Sequence, residues 1–515
     1  MKLNYKRTIL VGFAFFLISM FWSAYDSITP LILTNKFGMS QTWSGVIMAT
    51  DNILAVFMLP IFGALSDKCR SKHGKRTPFI FIGTICAAVL LMSLSFADKA
   101  QLTNIKDISA IDDPATLGVI YDAQKDNTLL TPEGEEFKLS DRYSREDFCA
   151  IKSDDQITED GKTISPYTNY VTPARQACAW DTTTESPVPL IIFIALLLGV
   201  LISMAIFRSP AVALMPDVTI KPLRSKGNAI INLMGTAGGI LALVLGIVFA
   251  TSAVKNAMMS YAPFLFVLGG LMLVALGIFI LTVRETKWAA EMRADSIKYG
   301  IEEEEAPDNT QKRGLSKAEG RSLIFILLSI ALWYFGYNAV TSKYSVYATN
   351  ILQKNFNTTM LLAQGAAIVA YIPAGLVASR IGRKKTILAG VVLLTTAFTV
   401  AAFLRANSPD MLMNAMFMLA GIAWATINVN SFPMVVEMCS GADVGKYTGY
   451  YYTASMAAQT ATPMISGFLM DQLGMTVLFP YAAIFVALAF VTMLCVRHGD
   501  SKAEAKSGLE ALDVD

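Results

Sequence analysis

Residues 43–76 read WSGVIMATDNILAVFMLPIFGALSDKCRSKHGKR. The first two thirds of the stretch are apolar and long enough to cross a bilayer, for which a helix needs about 20 residues. Asp51 lies inside that run. Eight residues after Trp43, at about 1.5 Å per residue, it sits about 12 Å deep and close to the midplane. An ionisable group in hydrocarbon costs at least about 3 kcal/mol, so it faces a bundle interior or a watery cavity and marks an ion or substrate path. The basic run that follows, from Lys68 through Arg70, Lys72 and Lys75 to Arg76, assigns that end of the helix to the cytoplasm.

The rest of the chain has the same character. Of 515 residues, 54% are hydrophobic and only 16% charged, and the mean hydropathy is +0.48, too apolar for an ordinary soluble protein. Apolar stretches of spanning length begin near residues 8, 42, 78, 188, 227, 261, 322, 360, 386, 411, 447 and 476. This predicts an all-α membrane protein of twelve transmembrane helices, a monomer with the lipid bilayer as its solvent. Loops expected inside carry Lys68 to Arg76, then Lys221, Arg224 and Lys226, then Arg380, Arg383, Lys384 and Lys385; those expected outside carry little more than Lys36, Lys255, Lys354 and Arg405. The asymmetry puts both termini in the cytoplasm and fits a plasma-membrane protein. The first span is read as a retained helix, because no small-residue cleavage pattern precedes Asn35.

The expected divisions are residues 1–97 for spans one to three, 98–187 for an extracellular insert, 188–283 for spans four to six, 284–321 for a cytoplasmic linker, 322–497 for spans seven to twelve, and 498–515 for a cytoplasmic tail. The insert is polar, with twice as many acids as bases. Tyr121, Phe137, Phe148, Tyr167, Tyr170 and Trp180 favour folded content in it, against a disordered loop. Cys149 and Cys178 are the cysteines on that side, and an oxidising exterior permits a disulfide between them. The bond is the expectation, and two free thiols are the other outcome. The linker reads as a solvated helical tether.

The two halves look like copies of one another. Gly63, Asp67, Gly74 and Arg76 in the first answer Gly375, Ser379, Arg380, Gly382 and Arg383 in the second, and Arg208-Ser209-Pro210 with Asp217 answers Asn430-Ser431-Phe432-Pro433 with Glu437. From motif glycine to later acid the first copy takes 154 positions and the second 62; the 90 residues of the insert account for nearly all of the difference. Repeated bundles with a midplane site between them are the usual architecture of secondary transporters.

On those doubled motifs the chain resembles the major facilitator superfamily. More narrowly, the long loop Ser66-Asp67-Lys68-Cys69-Arg70-Ser71-Lys72-His73-Gly74-Lys75-Arg76-Thr77-Pro78-Phe79 is similar to that of plant sucrose carriers and their relatives, as are Ile28-Thr29-Pro30, Ala213-Leu214-Met215-Pro216-Asp217 and Asn228-Ala229. The resemblance implies the major facilitator fold and a symporter that takes up a small-molecule sugar, such as a glucoside or disaccharide, with a proton or sodium ion as coupling cation. It also implies a latch at the cytoplasmic ends, built from Gly63, Asp67, Gly74, Arg76, Arg208 and Asp217 in one half and Gly375, Arg380, Arg383 and Glu437 in the other. In that latch Asp67 meets a helix N-terminus of the opposite half, an attraction of about 0.3–1 kcal/mol.

For coupling, Asp51 is the first candidate and Asp26, counted to lie near the outer rim, the second. The two histidines, His73 and His498, fall at inner ends, so coupling would run through carboxylates. Sugar recognition needs flat apolar faces and forked hydrogen bonders in a partly dry pocket. Trp22, Tyr337, Asn338, Trp424, Asn428 and Asn430 supply these types at central depth, with Asn52 beside Asp51. Each is equally an ordinary packing residue of a membrane helix. Arg208, on the inner half of the fourth helix, is open to pairing with Asp51 or Asp217 or to snorkelling to the inner surface, and Lys343, near an outer helix end, is expected to snorkel.

No Walker-type phosphate loop, His/Cys metal cluster or Ser/His/Asp set appears, so neither enzyme chemistry nor a cofactor or metal is expected, and the near-neutral charge argues against nucleic acid. The alternative function is a proton-coupled antiporter exporting a drug or metabolite, for which fewer pocket amides would be expected. A sensor would be expected to add a signalling domain, for which the tail after Arg497 is short.

Overall fold

The computed structural model describes residues 3–159, 162–220, 223–299, 316–436, 438 and 444–498. Twelve long helices form the bundle: α1 (Tyr5–Leu31), α2 (Gln41–Lys68), α3 (Thr77–Asn104), α4 (Val188–Val218), α5 (Arg224–Val248), α6 (Ala262–Thr282), α7 (Lys317–Tyr347), α8 (Phe356–Ile381), α9 (Arg383–Ala402), α10 (Asp410–Val436), α11 (Val444–Leu473) and α12 (Leu478–Leu494). Each starts within a few residues of an expected span. All but α11 are apolar enough to cross a membrane by length and composition. α11 runs 30 residues with Tyr, Thr, Ser and Gln along it and packs against α2 and α7.

Local chemistry sets the helix starts. The Ser40 hydroxyl accepts from Trp43 N to cap α2, and Ser316 and Glu319 form a capping box that opens α7. α1 and α7, the first helices of the two halves, both widen into a π turn, Ile32–Lys36 and Ala348–Leu352. There Asn35 and Asn350 exchange amide hydrogen bonds of 3.3 and 2.7 Å. This reciprocal pair marks the pseudo-twofold relation of the halves.

α1–α6 and α7–α12 each bury a hydrophobic core of their own. The insert buries a third around Leu117, Ile120, Phe137, Phe148, Tyr170 and Val171, so it is a small folded unit. It contains short helices, including Pro114–Gln124 and Thr172–Glu185, and two hairpins, one pairing Leu129–Leu130 with Glu136–Phe137 and the other Ile157–Glu159 with Lys162–Ile164. The expected disulfide is not formed: Cys149 and Cys178 are both free. Cys178 is buried and hydrogen-bonded to Gln124, and burial pushes its thiol up to about 11, while Cys149 lies against Gly118. An apolar core does the work a staple would have done.

The linker also differs from a solvated tether. Helix Glu285–Lys298 docks on the first half with Glu285 and Trp288 buried; residues 300–315 lie outside the described set.

The halves meet along α2 and α11, α5 and α8, and α1 and α7. At the end bearing the insert their backbones touch: a Cβ on Gly45 would stand 2.0 Å from Pro463 O, and one on Gly467 would stand 2.2 Å from Gln41 O. Asp471 of α11 there accepts from Gln41 N and Thr42 N, both at 2.8 Å, and from the Thr42 hydroxyl. Lys343 does not snorkel: it is fully buried, and its Nζ donates to Gln41 O at 2.6 Å. The chain is thus closed at the insert end.

Candidate transport site and its gates

A cavity of about 580 Å³ lies between the halves, midway along the helices. Its first-half wall comes from α1 (Trp22, Ser23, Asp26), α4 (Arg208) and α5 (Asn232, Thr236); its second-half wall comes from α7 (Tyr337), α8 (Gln364, Tyr371) and α10 (Trp424, Asn428). α5 brings small residues to the wall: a Cβ on Gly238 would meet Phe16 O at 2.2 Å, so only glycine lets α5 lie this close to α1.

The walls differ in chemistry. On the second half, Tyr337 and Trp424 stack face to face at 3.7 Å and 7°, with Tyr334 edge-on to Trp424 at 5.2 Å. Tyr371 is hydrogen-bonded to Asn428. On the first half, the Arg208 guanidinium stands 5.6 Å over the Trp22 ring and interacts electrostatically with Asp51; Asp26 and Asp51 are within electrostatic reach of each other and of Tyr25. Among the described residues, Trp22 Nε1 and Gln364 Oε1 are buried without a hydrogen-bond partner. Buried polar atoms of this kind are rarely left unpaired without a functional reason or a bound water.

Several expected residues stand elsewhere than the sequence suggested. Asp26 is on the cavity wall, not at the rim, because α1 continues through its π turn to Lys36, ten residues or about 15 Å further. Asp51 is half-buried behind the wall, where Asn52 Nδ2 donates to its Oδ1 at 3.0 Å. Asn338 and Asn430 also turn away from the cavity, their amides donating to Tyr334 O at 3.0 Å and Thr426 O at 2.9 Å on their own helices. Arg208, assigned to the latch with a pairing to Asp51 left open, lines the cavity and faces Asp51, because its position ten residues before the end of α4 keeps it in the bundle. Trp22, Tyr337, Trp424 and Asn428 do meet around one space. Gln364 and Tyr371 were missed, though polar residues seven apart on an otherwise apolar α8 share a face and could have been found.

At the other end, Arg76 gathers much of the expected latch. It bonds Asp67, Ser66 and, at 2.8 Å, Asp217, and reaches Gly63 O at 3.4 Å. Burial opposes its charge, but Asp217 and then Asp67 hold its pKa above the ordinary arginine value. Asp67 therefore pairs within its own half rather than with a helix of the other. Gly74 turns the loop at φ +116°. Glu285, which the sequence reading passed over, caps α3: it accepts from Lys75 N, Arg76 N, Thr77 N and the Thr77 hydroxyl at 2.6–3.0 Å. In the second half Gly375 and Arg380 lie on α8 and Arg383 opens α9; Glu437 lies outside the described residues.

Comparison with known proteins agrees with this architecture. The model described as Major Facilitator Superfamily matches residues 346–512, and the one described as MFS/sugar transport protein matches residues 10–103. The sucrose transport protein SUC4 of Arabidopsis thaliana is 31% identical over 70 residues, covering 14% of this chain and 13% of that protein. Among solved structures, the inward-open xylose transporter XylE from E. coli superposes with a TM-score of 0.59 at 14% identity, covering 99% of both chains. A mutant form of the nucleoside transporter NupG does so at 0.56 and 14%, covering 95% of this chain and all of that one. At such identities these structures speak for the fold alone.

Proposed function

Starting from a chain that has the major facilitator fold and matches models of that superfamily in both halves, we propose that it is a secondary transporter taking up a sugar, a glucoside or disaccharide, together with a proton by alternating access. The observation that carries this reading is the pairing of two unlike walls across one cavity. The stacked Tyr337 and Trp424 offer the flat apolar surface that suits the C–H face of a sugar ring, while Gln364, Asn428, Tyr371 and Trp22 Nε1 offer bonds for hydroxyls. The 580 Å³ volume is in the range of small-molecule sites.

Opposite, Asp26 and Asp51 with Arg208 carry one negative charge in excess when both acids are ionised. A single proton balances the trio, which would let the proton-loaded carrier reorient without an unpaired charge in the membrane. The excess of basic residues in the loops at the Arg76 end supports a cytoplasmic side there, with both termini, and an insert outside the plasma membrane; on that reading a chain closed at the insert end is inward-facing.

The test is uptake into proteoliposomes under an imposed inward proton gradient, with sucrose, maltose, trehalose and glucose, for wild type, Asp51→Asn and Asp26→Asn. Gradient-driven accumulation of one sugar that either variant abolishes supports the reading. Accumulation driven by sodium instead would keep the sugar and change the ion. No accumulation under either gradient would overturn it and turn attention to export.

A further inference from the structure

The insert belongs in sequence to the first half, yet its contacts reach across the gate. It is rooted in the first half by apolar packing: Met258 and Val254, from the α5–α6 connection, join its core. Gln101 of α3 donates to the Thr183 hydroxyl at 2.9 Å, and Gln176 donates to Asn35 at 3.0 Å, the same Asn35 that pairs with Asn350.

From there it touches all three second-half connections at that end. In the α7–α8 connection, Gln353 Nε2 donates to Ser153 O at 2.9 Å and to the Ser165 hydroxyl at 3.3 Å. In α9–α10, Arg405 pairs with Glu133 at 3.5 Å. In α11–α12, Thr476 N donates to Pro132 O at 3.1 Å. Gly474 and Gly134 meet there backbone to backbone, both at positive φ, so that a Cβ on Gly474 would stand 2.4 Å from Gly134 N. Three of these residues, Pro132, Glu133 and Gly134, form the tip of the hairpin between Leu129–Leu130 and Glu136–Phe137.

We propose that the insert is a releasable strap across the outer gate: rooted on the first half, it holds the outer loops of the second half and biases the carrier toward the inward-facing state. The inference rests on the alternating-access reading above. The division of contacts supports release, because the root adds apolar packing continuous with the insert's core to its two hydrogen bonds, while the grip on the second half consists of a few part-buried polar bonds and one glycine–glycine approach. Such bonds can be replaced by water once the loops part. Outward opening must either break them or drag the insert off its root, and breaking them costs less.

A reporter for the outer gate is Ser44→Cys: Ser44 is fully buried on α2, and its hydroxyl has no hydrogen-bond partner, so the change is mild. A membrane-impermeant maleimide added from outside labels position 44 only when the gate opens. Buried Cys178 reports in the same sample whether the insert remains folded. Gln353→Ala with Arg405→Ala should raise the labelling rate at position 44 about tenfold, in line with two lost hydrogen bonds and one half-buried ion pair, with Cys178 still protected. Asp471→Ala, which removes the gate's own cap and leaves the strap intact, is the reference.

A rise in the reference without one in the double variant would overturn the strap and leave alternating access standing. A rise at position 44 accompanied by exposure of Cys178 would overturn it too, showing that the contacts only keep the insert folded. No rise in either would remove the outward-open state, and the strap with it.

Discussion

Asp471 offers the sharpest test of the gate. Its carboxylate caps the N-terminus of α2 across the interface of the halves, taking two backbone N–H groups at 2.8 Å and the Thr42 hydroxyl. Loss of an N-terminal cap costs about 1 kcal/mol, and hydrogen bonds to a charged acceptor contribute about 1.5–3 kcal/mol each before water replaces them at an opened end. Lys343 is buried close by, with Asp471 as its charge partner, so removing the acid also takes away the counter-charge of that lysine. Together these give about 2 kcal/mol for Asp471→Ala, or about a 30-fold shift toward the outward-open state. Asp471→Asn keeps one acceptor and loses the charge, so it should fall between, at about 1 kcal/mol and about fivefold. The assay is the distance between spin labels at exposed outer positions, Trp43 on α2 and Met411 on α10, in a background whose exposed cysteines are replaced. A long-distance population should grow in the order wild type, Asn, Ala. Identical distance distributions in all three would refute the reasoning, because the cap would then contribute nothing to closure.

Arg76→Gln, which loses both acidic partners at the cytoplasmic end, should lower the melting temperature of the detergent-solubilised protein by a few degrees, about 2 kcal/mol of interaction; Arg76→Lys should recover only part, because an ammonium cannot fork to two carboxylates. Trp424→Ala should weaken sugar binding at least tenfold, from the loss of a stacked ring and about 1.5 kcal/mol, and unchanged affinity in competition flux would move the site elsewhere. Titration of the unreduced, denatured protein should find Cys149 and Cys178 as free thiols. In the folded protein, Cys178 labelling should accelerate as pH rises toward about 11, since the thiolate is the reactive form and burial delays its appearance; a mass deficit of two hydrogens would show the disulfide instead.

Much of this architecture was legible because the bilayer makes a simple demand: each crossing needs its own apolar run, and the runs were countable. The duplication was legible too, since motif spacing differed by the length of the insert. Depth was less so. Counting from the start of an apolar run misplaced Asp26, because nothing in the residues announced that α1 continues through a π turn to Lys36. Side-chain direction was harder still. Asn338 and Asn430 have the right type and depth, yet each satisfies a carbonyl of its own helix, and only the rotamer decides between that bond and a ligand. Partners far apart in sequence, such as Glu285 with the start of α3 or Asp471 with the start of α2, left no local pattern at all. Both are acids at helix N-termini supplied by another element, and capping rules read from sequence look only a few residues away.

The walls of the cavity show what duplication followed by divergence has done. Asn35 and Asn350 still answer one another across the pseudo-twofold axis, so the frames remain equivalent where they touch. Between them the chemistry has separated: Asp26 and Arg208 line the first half with Asp51 behind them, whereas the second half presents Tyr337, Tyr371, Trp424 and Asn428. A proton arriving at the first wall's carboxylates and a sugar held chiefly by the second, with Trp22 Nε1 reaching it from the first, would therefore meet in one cavity without competing for the same atoms. On the proposed reading, coupling then needs no direct contact between ion and sugar. It is enough that rocking exposes both walls together and that an unbalanced trio of charges disfavours the occluded state. Neutralising an acid by substitution should accordingly uncouple the proton from movement while leaving sugar affinity nearly intact, and a variant that lost affinity in equal measure would mean that the carboxylates hold the sugar themselves.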